Sequence, residues 1–214
     1  MDTKSLEQKL SHYNLVEITD PHFIINMMYA RKDNIAGLDV YQNIGLGNRA
    51  FAHKDVLARL TEIIPELDAL NLKLKIHDAY RPPLAHTLLM ENVPVKGLFA
   101  DNYELSNHCH GTAIDVSLTD MNGNDLEFPT NIDAYTPEIY QELKNGNTAP
   151  LQENLIRARH DYMAASLSAT QNKELLRRLM TSHGFETIPH EWWHYNLKNF
   201  ADYPVINADC FSCD

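Results

Sequence analysis

Apolar side chains at Val56, Leu57, Leu60, Ile63, Ile64 and Leu67 recur every three or four positions, the spacing of one buried helix face. Pro65 falls inside that pattern. Because proline has no N–H to give and its ring crowds the preceding turn, it is expected to kink or shorten this helix. The period then changes to two at Leu72-Lys73-Leu74-Lys75-Ile76-His77, which predicts a half-buried strand. Pro82 and Pro83 suit the first turn of a second helix carrying Leu84, Leu88 and Leu89, so Arg81 lies at a strand-to-helix junction. Ile114, Val116 and Leu118 alternate with Asp115 and Ser117, predicting a strand just after Gly111 with Asp115 on the opposite face from Ile114 and Val116.

Elsewhere the pattern is less regular. Ser5 and Gln8 resemble a capping box ahead of Leu6 and Leu10, which predicts a short amino-terminal helix. Leu151, Leu155 and Tyr162 suggest one helix, and Leu175, Leu176, Leu179 and Met180 another that stops at His183-Gly184. The segment from Asn122 to Pro150 is rich in Asn, Pro and Gly and reads as a long loop, of the kind that often covers a site.

Strands interleaved with helices, without a regular βαβ rhythm, predict an α+β protein: one domain over residues 1–214, its mainly antiparallel central sheet flanked by helices. A composition of 44% hydrophobic and 22% charged residues is that of an ordinary globular chain. No apolar run reaches the roughly 18 residues of a membrane span, and no membrane partner is expected. A formal charge of -11 repels phosphate backbones, so no nucleic-acid partner is expected either. The first residues lack an apolar central region, and the three cysteines form no spaced framework; both lead to an expectation of a cytoplasmic protein. Cys210 and Cys213 have the gap of half a zinc knuckle but no second pair to complete it. Neither a glycine-rich phosphate loop nor a G-x-S-x-G nucleophile elbow is present.

Chemistry concentrates in two places. His108 and Asp115 flank Gly111, and far downstream Glu191 and His194 bracket two tryptophans. A catalytic zinc ion takes three His or carboxylate ligands and keeps one open position. His108, Asp115 and His194 supply such a set and leave Glu191 free to handle protons. Asp115, an aspartate beside core residues, needs a partner in any case, and a salt bridge to an arginine is the alternative to a metal. His110 ranks below His108 as a ligand because it falls in the turn, and His190 reads as solvent-exposed. Trp192 and Trp193 are expected to pack in the core and to wall the site from water.

Together these stretches resemble a known family, the zinc D-alanyl-D-alanine dipeptidases of the VanX type, related to VanY-type D,D-carboxypeptidases. The resemblance rests on S-x-H-x-x-G-x-A-x-D at Ser106 to Asp115, on Glu191-Trp192-Trp193-His194-Tyr195, and on Asp78-Ala79-Tyr80-Arg81-Pro82. Tyr29 to Gly37 is similar to the family's Y-A-x-x-x-N-F-x-G, with Ile35 where an aromatic is usual. It implies the D,D-peptidase, hedgehog-like zinc fold and one Zn2+ held by His108, Asp115 and His194. Glu191 is then the catalytic base, and Arg81 stabilises the transition state. Asp133 is expected to receive the ammonium group of a small D,D-dipeptide substrate, and Ser106 to contact that substrate. Two other functions stay open: a D,D-carboxypeptidase acting on longer peptidoglycan stems, and a non-catalytic zinc-binding module. The sequence leaves the oligomeric state open.

Overall fold

The computed structural model describes residues 6–93, 95 and 98–207. Ser5 of the capping box and the Cys210/Cys213 pair lie outside the described residues. In chain order the elements are α1 (Leu6–Ser11), β1 (Leu15–Glu17), β2 (Phe23–Ile25), α2 (Val40–Asn43), β3 (Phe51–His53), α3 (Lys54–Leu70) and β4 (Leu72–Asp78). They continue with α4 (Pro83–Asn92), β5 (Ala113–Asp120), α5 (Pro137–Lys144), α6 (Ala149–Arg157), α7 (Leu167–Ser182), β6 (Phe185–Ile188) and β7 (Glu191–Leu197).

Five strands form the central sheet in the order β2-β4-β5-β7-β6, parallel only between β2 and β4, while β1 and β3 form a separate antiparallel pair. The α+β class with a mainly antiparallel sheet is therefore observed. Alternation sorts the side chains between the two faces. Leu74 lies opposite Leu118, Ile76 opposite Val116 and Ile114 opposite Tyr195, giving one apolar face. Helix α3 packs near β4, and α7 packs near β5, β6 and β7 as well as α3. Val56, Leu60, Ile63 and Leu67 of α3 and Leu176, Leu179 and Met180 of α7 are buried. We call this the back face.

The opposite, front face carries Asp115 and Ser117 of β5 and, directly across from Asp115, His194 of β7. Between Ile76 and Asp78 the β4/β5 register shifts. Such a bulge sets two residues against one. It lets His77 bond Ser117 while the next residue, Asp78, still stands opposite Asp115.

Three expectations need correction. Helix α3 runs unbroken through Pro65. The helix is therefore not cut short: Pro65 is exposed, so water can take the carbonyl it frees, and the buried stripe on either side continues. The segment after Asn122 is not one long loop, because it contains α5 and the start of α6. Thr136 caps α5 by accepting a hydrogen bond from Ile139 N, Pro137 opens the first turn, and Ile139 and Leu143 are buried one turn apart. Helix α6 stops at Arg157, so Tyr162 is not part of it; the Tyr162 carbonyl accepts a hydrogen bond from the buried Lys173 ammonium.

Candidate functional site

A short 3-10 turn, Asn107–His110, ends on Gly111 at φ +70°, a left-handed conformation open to glycine at little cost. A Cβ there would meet Leu15 Cδ2 at 2.7 Å, so a larger residue would also have to push that side chain aside. This turn delivers His108 over the front face beside Asp115 and His194. Donor atoms of the three residues all lie within 4.8 Å of one another, and all three residues are buried.

The individual separations test whether a metal fits. His108 Nε2 is 3.2 Å from His194 Nδ1, His194 Nδ1 is 3.0 Å from Asp115 Oδ1, and His108 Nε2 is 3.4 Å from Asp115 Oδ2. Tetrahedral ligands about 2.0 to 2.1 Å from zinc stand about 3.3 to 3.4 Å apart, and each pair of residues approaches to near that spacing, the carboxylate meeting His194 through Oδ1 and His108 through Oδ2, so the cluster is compact enough for one such ion. Each imidazole also has its other nitrogen engaged. His108 Nδ1 donates to the Ala79 carbonyl at 2.8 Å, and His194 Nε2 donates to Asn196 Oδ1 at 2.9 Å. The lone pairs left over face the shared centre. Asp115 finds its partners in these histidines and not in an arginine. Burial alone would raise its pKa, but the charges and hydrogen bonds of His108 and His194 outweigh that and hold it well below the usual carboxylate range. Burial likewise disfavours charge on His108, yet Asp115 and Asp78 draw its pKa up.

Glu191 opens β7, with Oε2 3.9 Å from His194 Nδ1. Loss of water around it pushes its pKa up to about 7, against the pull of His194, and Asp115 and Asp133 push it the same way. Arg81 is buried and paired with Asp78, which accepts from its Nε at 2.9 Å and from Nη2 at 2.5 Å. Its guanidinium also sits over the rings of Tyr29 and Phe99, 5.0 and 5.1 Å from their centroids. Burial works against this charge, but Asp78 more than compensates and keeps the group protonated. Sequence reasoning assigned no role to Asp78. A carboxylate at the buried end of a strand, three residues before an arginine, was the available signal.

Asp133 is buried and accepts a 2.6 Å hydrogen bond from the Tyr29 hydroxyl. Burial raises its pKa to about 6 although the Tyr29 bond lowers it. Asp133 and Ala134 both adopt positive φ, 54° and 52°. Strained non-glycine pairs of this kind persist only where the surroundings enforce them, and they cluster at ligand sites.

These residues face one cleft of about 220 Å³, lined by Arg81, Ser106, His108, Asp115, Asp133, Glu191 and His194, with Leu98, Phe99, Leu105 and Ile188 as apolar walls. Every residue singled out for the site from the sequence lies on it. The tryptophans do not. Consecutive strand residues point to opposite faces, so Trp193 lies on the back, while Trp192 stacks on Phe128 and lines a separate cavity of about 430 Å³. His110 faces the carbonyls of Tyr203 and Glu104. Cys109 is buried, and burial pushes its thiol up to about 12, which leaves little thiolate for a metal. His190 is exposed.

A front-face His/Asp/His cluster with a carboxyl beside it, at the base of a small cleft, is the architecture of a metallopeptidase. Residues 11–212 match the model of the peptidase M15 family, described as D-ala-D-ala dipeptidase, and the chain belongs to that family. It is 34% identical over 193 residues to the D-alanyl-D-alanine dipeptidase of Escherichia coli strain K12, covering 90% of this chain and 88% of that protein. It is 25% identical to the D-alanyl-D-alanine dipeptidase of Enterococcus faecalis (79% and 83% covered) and 24% identical to that of Streptomyces coelicolor (83% and 90% covered). Among the described residues, no helix is long and apolar enough to cross a membrane.

Proposed function

We propose that this metallopeptidase is a zinc-dependent D-alanyl-D-alanine dipeptidase, with residues 1–214 as one catalytic domain acting in the cytoplasm. The observation that carries the zinc assignment is the close approach of three buried residues, His108 Nε2 3.2 Å from His194 Nδ1 and the Asp115 carboxylate 3.0 Å from His194 through Oδ1 and 3.4 Å from His108 through Oδ2, with each imidazole already tied back through its second nitrogen. His108 Nε2, His194 Nδ1 and the Asp115 carboxylate would hold the ion. Zinc in such a site acts as a Lewis acid and makes water a nucleophile near neutral pH.

The chain's own groups do the rest. Glu191, with a pKa near 7, can accept the proton of the attacking water and return it to the leaving amine without a large mismatch in either direction. Arg81 keeps a fixed positive charge, aimed by Asp78, for the oxygen that gains negative charge in the tetrahedral transition state. Asp133, braced by Tyr29, is a buried acceptor suited to an ammonium group, and Ser106 lies along the same cleft. Both would hold the dipeptide in register.

Cleft size favours the dipeptide over longer stems. At about 220 Å³ it is below the range of about 300 to 1,000 Å³ common for drug-sized ligands. The test combines metal analysis with hydrolysis of free D-Ala-D-Ala and of a muramyl pentapeptide, before and after chelation. One zinc per chain, loss of activity on chelation, its return on zinc addition and preference for the dipeptide are expected. Preference for the pentapeptide would make the protein a D,D-carboxypeptidase. Full zinc occupancy with neither substrate cleaved would make it a binding module.

A further inference from the structure

We infer that Asn196, oriented by Asn107, is a positioning residue that fixes the tautomer of His194 and ties together the two segments carrying the histidine ligands. This deepens the zinc reading above and rests on it. Asn196 follows His194 by two in β7, so the two side chains share the front face. It is buried, and its Oδ1 stands 2.9 Å from His194 Nε2. An amide oxygen can only accept, so the imidazole must carry its proton on Nε2 and present the Nδ1 lone pair to the cluster.

The amide is itself held. Asn107 Nδ2 donates to the same Oδ1 at 2.9 Å, which turns the oxygen of Asn196, not its NH2, toward His194. Asn107 begins the turn that carries His108, and its backbone carbonyl accepts from Thr112 N at 3.1 Å, just before β5. One side-chain pair thus links the His108 turn to the His194 strand across 89 residues of sequence. Second partners of metal-bound histidines are usually carboxylates, carbonyls or water. A carboxamide fixes the proton in the same way without adding negative charge to the cleft.

Asn196→Leu keeps the size and the strand position and removes the acceptor. Zinc affinity of the purified protein is measured by chelator competition. The zinc-loaded, histidine-15N-labelled protein is examined by NMR for the His194 Nε2–H. In the wild type this proton is expected to be slow to exchange, with Nδ1 bearing the metal. In Asn196→Leu the zinc dissociation constant should rise about 10- to 100-fold, the usual cost of losing such a partner, and the Nε2–H should become fast-exchanging. Asn107→Leu leaves Asn196 in place and should move both readouts in the same direction by less. It also serves as the test if Asn196→Leu does not fold.

Wild-type affinity and an unchanged Nε2–H signal in folded Asn196→Leu, or in Asn107→Leu should that be the only variant to fold, would overturn the inference. So would ligation of His194 through Nε2. A wild-type protein that binds no zinc is a different result, and it defeats the metal reading itself.

Discussion

The two faces of β7 treat buried polar atoms in opposite ways. On the front, His194 has a partner on each ring nitrogen, Asn196 is shared by two donors, and Trp192 Nε1 donates to Thr130. On the back, Trp193 Nε1 and the Tyr195 hydroxyl are buried without a hydrogen-bond partner among the described residues. The back face is held by apolar contact with α7 and tolerates an unmet group. On the front each bond fixes a direction, and that directional fixing is what a metal site requires. The contrast predicts large effects, on activity or on stability, from front-face substitutions that remove a fixed partner, and small, stability-only effects from removing an unmet group on the back.

The largest effect is expected at Glu191. Replacing a general base typically removes about 10² to 10⁴ of rate. Glu191→Gln should therefore lower kcat by that order while zinc content and thermal midpoint stay near wild type. A Gln variant with native turnover would remove Glu191 from the chemistry. Arg81→Ala should follow at about 10² to 10³ in kcat, the usual cost of a lost transition-state donor, again with metal retained.

Asp78→Asn probes the same charge from the other side. It strands the buried Arg81 cation, and breaking a buried pair by removing one partner costs about 3 to 5 kcal/mol of stability. Denaturant unfolding would measure it. A loss below about 1 kcal/mol, the range of exposed pairs, would mean that Arg81 finds other partners.

How far the sequence disclosed this site follows from how local each feature is. His108 and Asp115 lie within one motif, and Glu191 and His194 within another, so ligand chemistry could be read from spacing. The alternation around Asp115 predicted which face it takes, and β5 runs accordingly. Contacts that exist only through folding were illegible. Asn107 reaches Asn196 across 89 positions and Tyr29 reaches Asp133 across 104. The β4 bulge that brings Asp78 alongside Asp115 depends on pairing with β5, which no single segment encodes. The α5 helix is a different kind of miss. Its Thr136-Pro137-Glu138 start is a local signal, outweighed in the sequence by the surrounding Asn, Pro and Gly.

A front-face group held neutral gives a pH-dependent test. Burial lowers the pKa of His77 to about 4, and Lys75 adds to the effect. Unfolded histidine titrates near 6.5. Between those values the unfolded chain binds a proton that the folded chain refuses, so His77 contributes stability above about pH 6.5 that is lost as pH falls toward 4. Glu191 and Asp133 have raised pKa values and act in the opposite sense, gaining protons in the fold first. Comparison with His77→Gln cancels their contribution. The variant's acid-side slope of unfolding free energy should be shallower by up to about 1.4 kcal/mol per pH unit, and parallel curves would show that His77 titrates normally.

The smallest effect should come from the back face. Tyr195 is fully buried, its ring lies 6.3 Å edge-on from His160, and its hydroxyl meets no hydrogen-bond partner among the described residues. Burial accordingly pushes its pKa far above the usual phenol value. Tyr195→Phe keeps the ring and removes only the unmet oxygen, whose desolvation costs about 1 to 3 kcal/mol when nothing replaces water. The variant should therefore be as stable as wild type or more stable, by up to about 1 kcal/mol after partial relaxation, with kcat, KM and zinc affinity unchanged. Its neighbour in sequence, His194, should show the reverse: His194→Gln is expected to abolish zinc binding at modest cost to folding. If Tyr195→Phe instead lowered kcat, the two faces of β7 would be coupled through the strand, and the back face would belong to the site's supporting structure.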